Sequence, residues 1–167
     1  MLRIVLAIVF ARSLDDGCWR PLIAFALAAA SDYADGPLAR RAGAPTRYGA
    51  LLDSVADIVF VLVATMAGAV TGRLSWAVPV AIVGAAAPYL VATLRRIGAT
   101  EDAPRAYSAV GHAAGVCNYA LAGLLAGSVA LPGPSWPPLL AAASAVVIAL
   151  NLTALAQRFR QPPRAQP

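Results

Sequence analysis

The feature that most constrains this chain is the length of its apolar runs. A helix that crosses a bilayer needs about 20 predominantly apolar residues. Five segments meet or approach that length, at about 19–40, 48–70, 75–95, 107–130 and 136–157, and a sixth at about 1–13 is short. Turn chemistry separates them: Asp16-Gly17, Gly43-Ala44-Pro45, Thr71-Gly72, Ala103-Pro104 and Pro132-Gly133-Pro134. Only 13% of the residues are charged, against roughly 25% in an ordinary soluble domain. The expectation is an all-α integral membrane protein, a bundle of six transmembrane helices with a short first helix. One membrane domain is expected over 1–160, followed by a disordered tail at 161–167. Residues 1–11 carry no defensible secretory cleavage site.

Arginine placement sets the orientation. The sequence has thirteen Arg and no Lys. With six helices and an inner N-terminus, Arg3, Arg40, Arg41, Arg47, Arg95, Arg96, Arg105, Arg158, Arg160 and Arg164 fall inside, and Arg12, Arg20 and Arg73 fall outside. This bias is the positive-inside pattern. It accounts for the net charge of +5 without a basic face for nucleic acid. Trp19, Trp76 and Trp136 all fall at the outer side and read as interface anchors. Cys18 and Cys117 have no metal-ligand spacing, and no disulfide is expected between them.

The acidic residues divide into two groups. Asp15, Asp16, Glu101 and Asp102 lie in loops. Asp32 and Asp35 lie near the end of the second helix, and Asp53 and Asp57 in the first turns of the third. Carboxylates at a membrane edge are costly and usually functional. Spacings of three and four put each pair on one helix face. A short connection makes the two helices antiparallel, so all four carboxylates can meet at one point. Gly36, Ala39 and Gly49 leave room there. Four converging carboxylates need a counter-charge. Oxygen-only ligands favour Mg²⁺ or Mn²⁺, ions that clamp diphosphates and stabilise displacement at phosphorus. Arg40 and Arg41 add phosphate donors at the same end.

These residues resemble the CDP-alcohol phosphotransferase family, whose signature is D-x2-D-G-x2-A-R-x8-G-x3-D-x3-D. Asp32, Asp35, Gly36, Ala39, Arg40, Gly49, Asp53 and Asp57 match it at every spacing. The resemblance implies transfer of a phosphatidyl-type group from a CDP-linked lipid such as CDP-diacylglycerol to an alcohol, with release of CMP, in phospholipid biosynthesis. It implies metal ligation by Asp32, Asp35, Asp53 and Asp57, with two ions, and a general-base role for Asp57. It implies nucleotide contacts from Asp32, Gly36, Ala39, Arg40, Gly49 and Asp53. A homodimer is expected, in a bacterial inner membrane, with the site facing the cytoplasm and lipid around the helices.

Some positions differ from the family pattern. Pro37 follows the motif glycine, little chain precedes the first helix, and Ile58 follows the last aspartate where the glycerol-phosphate branch often has Lys. His112 stands where many members have Lys at an acceptor-phosphate pocket. Arg3 lies where the family has an arginine in its first helix. Arg95, Arg105 and His112 are the candidates for an acceptor or phosphate site. Asn118 and Tyr119 read as contacts between helices. A cation-binding transporter and an inactive homologue are the competing readings. Ion uptake into proteoliposomes, or failure to bind CDP-lipid, would distinguish them.

Overall fold

The computed structural model describes the backbone of residues 2–41, 47–98 and 108–160, with side chains outside 32–41, 47–48, 50 and 95–98. Six helices make up these residues: α1 (Leu2–Arg12), α2 (Arg20–Arg41), α3 (Arg47–Val70), α4 (Ala77–Gly98), α5 (Ala109–Ala130) and α6 (Trp136–Arg160). The expected bounds hold to within three residues at every end. The tail expected at 161–167 lies outside the described residues.

Local chemistry explains the helix ends. Pro21 sits in the first turn of α2, where a missing N–H costs nothing. Gly72 follows α3 at φ 71°, and the Arg73 and Leu74 amides turn back to the Gly68 carbonyl at 2.9 Å. A residue with a Cβ is disfavoured in that left-handed conformation. Ser108 caps α5, accepting from the Gly111 amide at 3.2 Å. The Pro132-Gly133-Pro134 break is closed by the Trp136 indole, which donates to the Leu131 carbonyl. α2 runs from Arg20 to Arg41 as one helix, so Pro37 does not end it.

Among the described residues, four helices carry stretches long and apolar enough to cross a membrane: Leu51–Val70, Ala77–Leu94, Ala109–Ala130 and Trp136–Arg160. α1 is short, and the apolar part of α2 within the described residues is Arg20–Ser31. Large apolar side chains point outward along the bundle, among them Val70, Val80, Leu94, Val116, Val146 and Leu152. Such a surface suits lipid as the solvent and would be a liability in water. The protein is a multi-pass membrane protein.

The core lies where α1, α2, α3 and α5 meet. Phe10, Phe60, Leu121 and Leu125 are fully buried. Phe10 meets Phe60 edge-on with centroids 5.8 Å apart, and Tyr119 stacks on Phe60 at 5.6 Å and meets Phe25 at 5.4 Å. Gly123 lets α5 approach α2 so closely that an added Cβ would fall 2.8 Å from Phe25 Cζ. α6 joins through α5. Asn118 and Asn151, both buried, exchange side-chain hydrogen bonds of 3.4 and 2.8 Å. Asn118 is therefore a contact between helices, as expected, and Tyr119 belongs to the aromatic cluster. Arg158 reaches α4 from α6, donating to the Pro88 carbonyl at 3.0 Å and lying 5.3 Å from the centre of the Tyr89 ring.

Candidate active site

The site is built at the end of the bundle where α1 and α3 begin. Both helices start at that end and pack together. Asp53 and Asp57 are one turn apart on α3, so their side chains leave the same face. Arg3 comes from the second position of α1. Its Nη1 donates to Asp53 Oδ1 and to Asp57 Oδ1, each at 2.7 Å. The two oxygens therefore lie no more than twice that distance apart. The shared-face expectation for this pair holds, and the two carboxylates converge on one cation.

Burial is unequal across this cluster. The Arg3 side chain is 4% exposed, whereas Asp53 is 49% and Asp57 36% exposed. The guanidinium lies inside, between α1 and α3, and the carboxylates open outward. Contacts of 2.7 Å are at the short end for N–H···O and are typical of charge-assisted bonds. An arginine this deep is kept only where acceptors compensate its desolvation.

Asp57 and Asp53 suit a hard cation: they present carboxylate oxygens, close together, at an open edge. Among the described residues no group of three or more His, Cys, Asp or Glu side chains comes together. Asp32 and Asp35 are in the last three turns of α2, and their side chains lie outside the described residues. So do those of Arg40, Arg95 and Arg96, and the whole of Arg105. Gly36 and Ala39 lie on α2 between Asp35 and Arg40. Gly49 is exposed, one turn before Asp53 on α3. His112 is exposed in the first turns of α5, which begins beside the end of α6, where the Ser108 hydroxyl donates to Gln157 Oε1 at 3.3 Å. Trp19, Trp76 and Trp136 stand at the beginnings of α2, α4 and α6, the opposite end, with Trp19 and Trp76 more than half exposed.

Sequence analysis places Arg3 at the inner flank and at the position of an arginine in the family's first helix, and does not connect it with the aspartates. The available signal was its isolation: it is the one charged residue before Arg12 in an otherwise apolar helix, and an intramembrane charge implies a partner. Asn151 was also missed as the partner of Asn118.

The family model of the CDP-alcohol phosphatidyltransferases matches residues 1–156. Curated relatives include the CDP-diacylglycerol--glycerol-3-phosphate 3-phosphatidyltransferase of Yersinia pestis strain Pestoides F, 53% identical over 49 residues that are 28% of this chain and 27% of the relative. Enzymes of the same name from Yersinia enterocolitica and Salmonella choleraesuis are 51% and 49% identical over stretches of the same coverage. The match thus spans about a quarter of the length of these relatives. No solved structure matches. The family model covers almost the whole chain, and the chain belongs to the CDP-alcohol phosphatidyltransferase family.

Proposed function

We propose that this protein transfers a phosphatidyl-type group from a CDP-linked lipid, CDP-diacylglycerol, to an alcohol and releases CMP, as a step of phospholipid synthesis. The observation that carries this reading is the convergence of Asp53 and Asp57 on one cation at 2.7 Å, on the family motif and at a membrane edge. Such an edge suits the chemistry, because nucleotide and polar acceptor arrive from water while acyl chains stay in lipid.

Asp32, Asp35, Asp53 and Asp57 are the residues proposed to hold two Mg²⁺ or Mn²⁺ ions. When bound, these ions would neutralise diphosphate oxygens and stabilise charge developing at phosphorus. Asp57 accepts the proton of the acceptor hydroxyl as its oxygen bonds to the lipid-linked phosphorus. The bond from that phosphorus to the CMP oxygen breaks, and Arg40 compensates the charge on the departing phosphate. Gly36, Ala39 and Gly49 leave space for the nucleotide beside α2 and α3. The Arg-rich end then faces the cytoplasm of a bacterial inner membrane, and the working unit is a homodimer.

The relatives' names make glycerol 3-phosphate the first acceptor to test, with Arg95, Arg105 and His112 as the proposed phosphate contacts. Purified protein with CDP-diacylglycerol and Mg²⁺ or Mn²⁺ is given a panel of glycerol 3-phosphate, inositol, inositol phosphate, serine and phosphatidylglycerol. CMP release that depends on one acceptor and is lost with EDTA supports the reaction and names the substrate. Asp57→Asn should lower the rate about 10²–10⁴-fold, the usual worth of a general base. Folded protein that releases no CMP with any acceptor would refute the reading.

A further inference from the structure

The geometry points to Arg3 as the positioning residue of the catalytic carboxylates: a cationic brace, supplied by α1, that sets Asp53 and Asp57 for metal. The inference rests on the phosphotransferase reading above and assigns that site a residue outside the aspartate motif.

A cation beside two metal-binding carboxylates can act in two opposite ways. It can occupy the place of the metal and compete with it. It can also stand behind the carboxylates and hold them in position. Burial decides between these. Arg3 is 4% exposed and the carboxylates 49% and 36%, so the guanidinium is on the interior side and an ion from water approaches the other side. The two contacts also fall on one oxygen of each carboxylate. Arg3 meets Oδ1 of each, and an ionised carboxylate has two oxygens and about four lone-pair sites.

Bracing is needed because of where the pair stands. Asp53 and Asp57 are in the first turns of α3, 49% and 36% exposed, and their charges repel. Bridging both from a single nitrogen fixes one oxygen of each and offsets part of that repulsion. It also ties α3 to α1 at the site, over 50 and 54 residues of sequence. Partners that orient metal-binding carboxylates are typically worth about 10–100-fold in metal affinity.

The test is Mn²⁺ binding by the purified full-length protein in detergent, followed by electron paramagnetic resonance without substrate. Arg3→Gln should raise the apparent Mn²⁺ Kd by about 10–100-fold, and Arg3→Lys should recover part of the loss, because one ammonium nitrogen can still face both carboxylates. If Arg3→Gln does not fold, Arg3→Lys carries the test alone. Its different reach cannot keep both 2.7 Å contacts, so several-fold weaker binding is expected. Unchanged or tighter binding in either variant overturns the brace and indicates a competitor or a bystander. A wild-type protein that binds no Mn²⁺ would overturn the metal reading itself, so the two failures are distinguishable.

Discussion

Asp53 and Asp57 compensate a charge that is almost wholly buried. Asp53→Asn combined with Asp57→Asn removes the two carboxylates that reach the Arg3 guanidinium from α3. The half-open edge lets water replace part of what is lost, so the expected cost is about 1–3 kcal/mol, the usual range when a buried donor loses charged acceptors. Thermal unfolding in detergent with EDTA measures this. Either single change should cost less than half of the double change, since one carboxylate at 2.7 Å remains. An unaltered midpoint in the double variant would mean that the ion pair adds nothing to the fold.

Between elements, polar pairs and small residues do the work that water-driven burial does in soluble proteins. Lipid is as apolar as a leucine side chain, so close fit and hydrogen bonding hold transmembrane helices together. The Asn118–Asn151 pair joins α5 to α6 in a buried layer. A double-mutant cycle with Asn118→Leu and Asn151→Leu should return a coupling of about 0.6–2 kcal/mol, read from denaturation in mixed micelles. A coupling of zero would assign the α5–α6 contact to packing alone. Gly123 is the complementary case. An added methyl would meet Phe25 Cζ at 2.8 Å, and that ring is held by Tyr119 and Phe60. Gly123→Ala should therefore destabilise by about 1–3 kcal/mol, the range for overpacking. Gly115, which has open space around it, should accept the same change at little cost and serves as the control.

For the whole molecule, the proposed orientation makes a prediction through a native thiol. Cys18 lies between α1 and α2, beside Trp19 at the tryptophan-bearing end, partly exposed and not disulfide-bonded. Cys117 lies within α5. In intact cells carrying Cys117→Ser, a membrane-impermeant maleimide should label Cys18 from outside the inner membrane. Labelling only after the membrane is opened would reverse the orientation and place the aspartates on the outer face.

Much of this architecture was legible in sequence, for local reasons. Helix bounds follow from apolar run lengths and from Gly and Pro breaks, which act within a few residues, so α2 through α6 match expectation closely. The pairing of Asp53 with Asp57 follows from a four-residue step on one helix. Arg3 was different. Counting charges can put it at the inner end, but only the packing of α1 on α3 brings its guanidinium to the carboxylates. Likewise, nothing near Asn118 in the chain indicates Asn151, which is thirty-three residues away. By itself the sequence determined the helices, the faces they present and the family motif, because helical period and turn chemistry are short-range. The tertiary structure alone decided which buried charge opposes the aspartates and from which side, because that depends on how helices distant in sequence pack.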